Sequence, residues 1–307
     1  MKLYHVIKAQ QFDRDLLEEI FSVAADMEKV VEKGGTDILR DHIMATIFYE
    51  PSTRTRLSFE SAMRRLGGNV ITTENAREFS SAAKGETLED TIRIVDNYAD
   101  VIVLRHYESG AAERAAEVSS VPVINAGDGP GQHPTQSLLD LYTIQKELGK
   151  IDGISICMVG DLANGRTVRS LSYLLSKYKD VKIYFVAPEV VKMKDDIKEH
   201  LTEHNVFFAE EHDLMAVVPQ VDVIYQTRIQ KERFGDRTAD YEKARGKYIL
   251  DSQLMGALRQ DAIVMHPLPR VDEIRPEVDN DPRAAYFRQA QNGLYIRMAL
   301  LKMVLWD

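Results

Sequence analysis

Apolar and polar positions along the chain form short β-branched runs that alternate with stretches of helical periodicity. The apolar runs predict strands at 43–49, 69–73, 101–105 and 122–125, and a second set at 154–159, 181–186, 205–208, 221–226 and 262–265. Apolar residues recur at helical spacing between them, most clearly at 13–33, 87–98, 135–148, 167–177 and 284–305. This alternation predicts an α/β protein with two doubly wound parallel-sheet domains, one for each set of strands.

The boundary between the two predicted domains falls in the helix at 135–148 and the short turn at 149–153. No Pro-rich or Ser-rich linker separates the two sets of strands, so we expect closely packed domains with a cleft between them. Ligands of open α/β sheets bind outside the carboxyl ends of the strands. We therefore expect the active site in that cleft.

Polar and cationic residues directly follow six of the predicted strands. The segments are "EPSTRTR", Arg105-His106, "AGDGPGQHPTQ" with His133 and Gln136, "GDLANGRTVRS" with Arg166, "QTRIQKER" with Arg228, Gln230 and Arg233, and "HPLPR". Each segment alone is compatible with a solvated loop. Six of them at one edge favour one or two anionic substrates, because guanidinium, imidazole and amide groups bind anions.

The segment from Ser52 to Arg56 concentrates hydroxyls and guanidiniums where a predicted helix begins, and Gly67 and Gly68 end that helix. Free N–H groups and the helix dipole attract anions at such a position. From this segment alone, an N-cap with solvated arginines is an equally good interpretation.

Composition and charge narrow the classes of function. The chain has 307 residues, of which 44% are hydrophobic and 28% charged, as is typical of a globular protein with two domains. A net charge of −9 argues against nucleic-acid binding through a general positive field. Cys157, the single cysteine, is expected to be a buried thiol, which favours a cytoplasmic location. No apolar run reaches the length of a membrane span, and the first residues lack signal-peptide features, so we expect no membrane partner.

A dinucleotide site is the main competing interpretation, because "GDGPGQ" is a Gly-rich turn between a strand and a helix. Its spacing fails, since the third glycine position is Gln132 or Pro134. The sequence also lacks GxxxxGK[ST], HExxH and GxSxG. Six histidines are interpreted as surface or core residues: His5, His42, His106, His200, His204 and His212. We therefore predict no cofactor and no metal, and a transfer reaction that works by positioning and electrostatics.

Three motifs in order, "STRTR" at 52–56, "HPTQ" at 133–136 and "HPLPR" at 266–270, resemble the aspartate/ornithine carbamoyltransferase superfamily. The resemblance is closest to the catalytic chains of its aspartate branch, because of "HPTQ", "HPLPR" and the lysine in "SSAAKGET". It implies transfer of the carbamoyl group from carbamoyl phosphate to the α-amine of L-aspartate, in de novo pyrimidine biosynthesis. A carbamoyltransferase for another amine such as ornithine, and a catalytically inactive scaffold homologue, remain as alternatives.

The resemblance also assigns roles to individual residues. It implies that carbamoyl phosphate is bound by Ser52, Thr53, Arg54, Thr55, Ser80, Arg105, His133, Gln136, Pro267, Leu268 and Pro269, with a cis peptide between Leu268 and Pro269. The implied catalytic residues are Arg54, Thr55, Lys84, Arg105 and His133, and the implied aspartate ligands are Lys84, Arg166, Arg228 and Gln230. Two guanidinium forks suit a dicarboxylate, whereas the side-chain ammonium of ornithine would need an anion.

Domain roles and assembly are further implications of the resemblance. Residues 1–134 would form the carbamoyl-phosphate-binding domain, 135–149 a connecting helix and 150–284 the aspartate-binding domain, with the helix at about 285–307 packing back on the first. Ser80 and Lys84 would reach into the neighbouring subunit's site in a homotrimer, and Glu50 and Arg233 would join the two domains. A separate zinc-containing regulatory chain is compatible with the resemblance, although no residue here requires one. The pair Ala163-Asn164 departs from the best-known relatives, which leaves cooperative kinetics open.

Overall fold

The structure is a computed structural model that describes residues 3–79, 81–229, 234 and 238–306. The chain divides into two compact units. Unit 1 runs to Leu138 and takes up the chain again from Gln291, and unit 2 runs from Leu139 to Ala290. Each unit is built on its own sheet, and every strand pairing in the described residues is parallel. The predicted pair of parallel α/β sheets is confirmed.

Unit 1 contains a four-stranded sheet. Its strands are β1 (Ile43–Phe48), β2 (Asn69–Glu74), β3 (Val101–His106) and β4 (Val123–Asp128), in the spatial order β2-β1-β3-β4. Its helices include α1 (Arg14–Glu32), α2 (Thr53–Arg65), α3 (Ala76–Phe79), α4 (Leu88–Val95) and α5 (Ala111–Val118), and short 3-10 segments lie at Ala9–Gln11 and Ser81–Lys84. The strand order reverses between β1 and β3. The carboxyl ends of these two central strands therefore lie side by side, which is where open sheets bind ligands.

Unit 2 contains a five-stranded sheet. Its strands are β5 (Ser155–Val159), β6 (Lys182–Val186), β7 (Phe207–Glu211), β8 (Val223–Gln226) and β9 (Ile263–Met265), in the order β7-β6-β5-β8-β9. Its helices include α7 (Arg166–Leu175), α8 (Asp195–Glu203), α9 (Leu214–Val217), α10 (Thr238–Ala244) and α11 (Ser252–Ala257). Further 3-10 segments lie at Glu189–Val191, Val218–Gln220 and Pro276–Asn280. Helices α6 (Pro134–Leu148) and α12 (Tyr286–Leu305) each contain a boundary between the units.

The predicted end of α2 at its two glycines has a steric cause. Gly67 has a φ of +88°, and a Cβ on it would lie 2.6 Å from the Cα of Asp37. The N–H of Gly68 donates to the carbonyl of Met63 at 3.0 Å, which closes the last turn. A side chain at position 67 would therefore displace the segment that leads into β1.

One predicted strand is placed too early, because β7 begins at Phe207 and not at Asn205. Asn205 has a φ of +55°, and the N–H of Val206 donates to the carbonyl of Leu201 at 2.9 Å. These two residues therefore close the end of α8, and the extended chain starts after them.

Each unit has its own buried apolar cluster. The cluster of unit 1 includes Ile47, Ile102 and Leu104, and the cluster of unit 2 includes Ile224 and Cys157, whose predicted burial is confirmed. Burial also raises the pKa of the Cys157 thiol, which keeps it protonated and unreactive. Among the described residues, every helix is too short or too polar to span a lipid bilayer.

Candidate active site

The first turn of α2 presents backbone N–H groups directly after β1. The first intrahelical hydrogen bond of α2 runs from the N–H of Arg56 to the carbonyl of Ser52, at 3.0 Å. The N–H groups of the residues before Arg56 therefore have no acceptor within the helix. Ser52 is the N-cap residue, and its side chain makes no capping hydrogen bond. This turn therefore presents the N–H groups of Thr53, Arg54 and Thr55, which precede the first intrahelical bond, at the positive end of the helix dipole, as an anion site requires.

The two arginines of this turn have different environments. Arg56 is partly buried and pairs with Glu74 at 3.0 Å, so it holds α2 against β2. Arg54 is exposed, and among the described residues it has no ion-pair partner. Thr55 is buried, with 7% of its surface exposed. Arg54 is therefore the guanidinium of this motif that is available to an anionic ligand.

Arg105 lies at the end of β3, beside the end of β1. Its Nη1 donates to the carbonyl of Ala126 at 3.2 Å, where the register between β3 and β4 shifts. Its Nη2 lies 3.7 Å from Oε2 of Glu50. The guanidinium is thus oriented from two sides within unit 1. Arg233, the predicted partner of Glu50, lies outside the described residues.

The loop between β4 and α6 is held by the carboxylate of Asp128, which is 4% exposed. Its Oδ1 accepts from the N–H of Gln132 at 2.7 Å and from Nδ2 of Asn125 at 3.2 Å. Its Oδ2 accepts from the N–H of Gly110 at 2.8 Å. This one side chain thus ties together β4, the loop that follows β4 and the loop that precedes α5.

This loop delivers His133 and Gln136 to the start of α6. Pro134 is the first residue of that helix, where its missing N–H costs no hydrogen bond. The carbonyl of His133 accepts from the N–H of Gln136 at 3.0 Å, and both side chains are at least 90% buried. The two residues are therefore placed by one helix turn in the same unit as Arg105.

Lys84 ends the 3-10 segment Ser81–Lys84 and is exposed. Gly85 follows it with a φ of +94°, a conformation that residues with a side chain rarely adopt. Ser80, the other residue predicted to serve a neighbouring subunit, lies outside the described residues.

The predicted aspartate ligands that the structure describes in unit 2 follow two adjacent strands, β5 and β8. Arg166 is the first residue of α7, and Arg228 lies two positions after β8. The link between their loops is tight, because Gly160 has a φ of +111° and a Cβ on it would lie 2.3 Å from the carbonyl oxygen of Thr227. Both arginines are partly exposed, while Gln230 lies outside the described residues.

The motif from His266 to Arg270 follows β9 and includes the predicted cis peptide between Leu268 and Pro269, which is confirmed. Nδ1 of His266 accepts from the N–H of Leu268 at 2.7 Å, so its Nε2 carries the proton and donates to Glu273 Oε1 at 2.7 Å. Glu273 also accepts from the N–H groups of Val271 and Asp272. This network fixes the backbone on which Pro267, Leu268 and Pro269 lie.

Burial by itself raises the pKa of Glu273, but the hydrogen bonds from His266 and from backbone N–H groups outweigh it, so the pKa lies below its usual value. Glu273 is therefore an anion in a largely buried position. Arg270, the last residue of the motif, pairs with Asp279 and stacks near Tyr286, so its role is structural.

Sequence reasoning missed Asp128, Asn125 and Glu273. Their only sequence signal is a carboxylate or amide within or beside a motif segment, and many solvated loops carry such residues. In the structure these three residues hydrogen-bond to the segments that carry the predicted site residues, so their role is to position those segments.

The described candidate residues thus fall into two sets. Unit 1 carries Ser52 to Thr55, Lys84, Arg105, His133 and Gln136, and unit 2 carries Arg166, Arg228 and the segment from Pro267 to Pro269. Apart from Lys84, each set follows the carboxyl ends of a parallel sheet. Fold and residue types together define a two-unit α/β protein with a candidate set of anion-binding residues in each unit.

Two family models match this chain. Residues 4–146 match the carbamoyl-P binding domain of aspartate/ornithine carbamoyltransferases, and residues 152–304 match their Asp/Orn binding domain. The chain therefore belongs to the aspartate/ornithine carbamoyltransferase family.

Individual relatives specify the branch. The chain is 68% identical over 305 residues to the chloroplastic aspartate carbamoyltransferase of Arabidopsis thaliana, covering 99% of this chain and 78% of the relative. It is 52% identical over 308 residues to the aspartate carbamoyltransferase catalytic subunit of Thermoplasma acidophilum, covering all of both chains. Aspartate transcarbamoylase of Trypanosoma cruzi, solved with carbamoyl phosphate and aspartate, matches with a TM-score of 0.94 at 43% identity, covering 99% of this chain and 97% of that one.

Proposed function

We propose that this protein is an enzyme that transfers the carbamoyl group of carbamoyl phosphate to the α-amine of L-aspartate. The products are N-carbamoyl-L-aspartate, an intermediate of de novo pyrimidine biosynthesis, and phosphate. The observation that carries the proposal is the placement of anion-binding groups at the carboxyl ends of both sheets. The relative solved with both substrates supports the same reaction.

Unit 1 is proposed to bind carbamoyl phosphate. The phosphate oxygens accept from the N–H groups of Thr53 and Thr55, from the hydroxyl of Ser52 and from the guanidinium of Arg54. Arg105 and His133, both largely buried, donate to the carbonyl oxygen. The Gln136 side chain binds the carbamoyl NH₂.

Unit 2 is proposed to bind aspartate. Arg166 and Arg228 each supply a guanidinium fork, and a dicarboxylate has two carboxylates to pair with them. Ornithine carries one carboxylate and a side-chain ammonium, which two guanidiniums would repel. Two guanidiniums in unit 2 therefore favour aspartate over ornithine as the amine substrate.

The reaction proceeds by attack of the neutral α-amine on the carbamoyl carbon. A C–N bond forms, and negative charge develops on the carbonyl oxygen, where Thr55, Arg105 and His133 are proposed to donate. Loss of one such donor typically costs about 2.7–4 kcal/mol of transition-state stabilisation. The C–O bond to phosphate then breaks, the phosphate leaves with its electron pair, and it accepts the proton released by the amine.

Phosphate release by the purified protein tests the proposal directly. Reactions contain carbamoyl phosphate with L-aspartate, with L-ornithine or with no amine. We expect release that depends on aspartate. Phosphate release that occurs with ornithine and not with aspartate would show that the amine substrate is ornithine. A folded protein that releases phosphate with neither amine would support the inactive scaffold alternative.

We further propose a homotrimer in which Lys84 of one subunit completes the site of its neighbour. Exposure of Lys84 on a short 3-10 segment is compatible with such a role. The proposal is testable by mixing two inactive variants, Arg54→Ala and Lys84→Ala, after reversible dissociation. Random hybrid trimers then contain one intact site each, and activity should return to about one quarter of the wild-type value. Unshared sites would give no recovery.

Two statements remain predictions. A cytoplasmic location rests on the sequence alone, and the plant relatives carry the word chloroplastic in their names. A regulatory partner chain is also untested, although the Thermoplasma relative is named a catalytic subunit.

A further inference from the structure

The last turn of α8 carries a cluster of His200, Glu203 and His204, which lies outside the candidate active site. One ligand atom from each residue lies within 4.8 Å of the others. Positions i, i+3 and i+4 share one face of a helix, so the cluster follows from the sequence spacing. From the sequence alone, both histidines are expected to be ordinary surface or core residues.

The hydrogen bond of His204 determines which of its ring nitrogens has a lone pair. Nδ1 lies 2.8 Å from the carbonyl oxygen of His200. A carbonyl oxygen only accepts, so Nδ1 must carry the hydrogen. Nε2 of a neutral His204 is then unprotonated and able to bind a metal ion.

The hydrogen bond to Ser176 determines, in the same way, which ring nitrogen of His200 has a lone pair. Nε2 of His200 lies 2.9 Å from Oγ of Ser176, and this hydroxyl donates its single hydrogen to the carbonyl of Tyr173 at 2.9 Å. The hydroxyl oxygen must therefore accept from Nε2–H of His200. Nδ1 of His200 is then the nitrogen with the lone pair.

Ring packing restrains the two imidazoles further. Their centroids lie 4.0 Å apart at an interplanar angle of 35°, and the ring of Tyr173 packs against His200 at 4.6 Å. Metal-binding histidines commonly donate their second nitrogen to a carbonyl or another acceptor, which orients the ring. Both histidines of this cluster have such an acceptor.

We propose that this cluster binds a divalent transition-metal ion such as Zn²⁺. The ligands are Nδ1 of His200, Nε2 of His204 and a carboxylate oxygen of Glu203, with water completing the coordination. Two imidazoles and a carboxylate are a common ligand set for zinc. Ligand atoms around tetrahedral zinc lie about 3.3 Å apart, so the exposed side chains of Glu203 and His204 must turn slightly toward His200, whose ring stays in place. The negative end of the α8 dipole at this turn also favours a cation.

Titration of the untagged full chain with ZnCl₂ in a calorimeter tests the site, with Co²⁺ absorption as a second readout of coordination. We expect one saturable site per chain. His204→Ala should abolish it, and this exposed residue can be replaced without disturbing the core. Ser176→Ala removes the acceptor that orients His200, together with the hydrogen bond from this hydroxyl to Tyr173, and should weaken binding by about 10- to 100-fold.

Two matched variants control for other surface ligands. His212→Ala removes another exposed histidine of unit 2, and Glu199→Gln removes an exposed carboxylate of the same helix. Both should bind Zn²⁺ like the wild type. Absence of saturable binding by the wild type, or undiminished binding by His204→Ala, would overturn the proposal. Binding lost in His212→Ala but retained in His204→Ala would overturn it as well.

Discussion

Replacing Asp128 by asparagine isolates the contribution of one carboxylate oxygen to the loop that precedes His133. The asparagine can keep its oxygen at the Oδ1 position, where it still accepts from Gln132 and Asn125. Its NH₂ group then takes the place of Oδ2 and faces the N–H of Gly110, which donates to that oxygen at 2.8 Å in the native protein. Two donors would thus meet in a position that is 4% exposed.

The size of the effect follows from this geometry. An unpaired buried donor costs about 1–3 kcal/mol, and the remaining bonds lose the strength that the charge of the acceptor provided, roughly another 1 kcal/mol. We expect the free energy of unfolding to fall by about 2–4 kcal/mol. At ~2–4 °C per kcal/mol, the melting temperature should drop by roughly 5–15 °C. The turnover number should fall as well, because the loop no longer fixes His133.

Thermal unfolding followed by circular dichroism, together with steady-state carbamoylation kinetics, measures both effects. The matched control is Asp26→Asn, because Asp26 pairs with Lys29 at 2.9 Å on the exposed surface of α1. Such an exposed surface pair contributes little to stability, because solvent screens it. If Asp128→Asn melts like that control and retains its turnover number, Asp128 does not organise the loop.

Three further predictions concern unit 2. Gly160→Ala places a Cβ 2.3 Å from the carbonyl oxygen of Thr227 at a φ of +111°, and should destabilise the protein by about 2–4 kcal/mol in urea denaturation. Glu273 has a lowered pKa, so its charge stabilises the fold at neutral pH, and this contribution is lost as pH falls through the folded-state pKa. The stability difference between wild type and Glu273→Gln should therefore be constant above about pH 5 and shrink below about pH 4.3. Arg228→Lys removes a bidentate fork, and should raise the KM for aspartate by about 10- to 100-fold while leaving the KM for carbamoyl phosphate unchanged.

Each of these predictions has its own control. Gly153 also has a positive φ, of +75°, but a Cβ on it would have nothing within 4 Å. Gly153→Ala should therefore lower the free energy of unfolding much less than Gly160→Ala does. Equal losses in the two variants would show that the contact with Thr227 is unimportant. A stability difference for Glu273→Gln that does not change at acid pH would contradict the lowered pKa. Arg275→Lys, at an exposed arginine of unit 2, should leave both KM values unchanged.

The sheets were predictable because β-branched runs and glycines determine them locally. The apolar, β-branched run that contains Ile47 favours a buried strand, and Gly67 ends α2 because its backbone conformation excludes a side chain. The start of β7 was less predictable, since Asn205 takes a left-handed conformation that several residue types tolerate.

The ligand-facing residues were predictable only through motifs, and their supports were not predictable at all. Asp140 accepts from Tyr225 at 2.6 Å across 85 positions, and no local pattern encodes such a pairing. Asp128 likewise binds Gly110, which precedes it by 18 positions. Contacts of this kind exist only once the sheets have formed, so sequence periodicity cannot reveal them.

The most direct measurement is ¹³C NMR of purified protein mixed with [¹³C]carbamoyl phosphate and L-aspartate. The account predicts that the carbamoyl carbon moves into N-carbamoyl-L-aspartate, with a carbon–nitrogen coupling when the amine is ¹⁵N-labelled. The same mixture with Arg54→Ala should form this product far more slowly. Loss of label only to the hydrolysis products of carbamoyl phosphate, with no carbon–nitrogen coupling, would contradict carbamoyl transfer to aspartate.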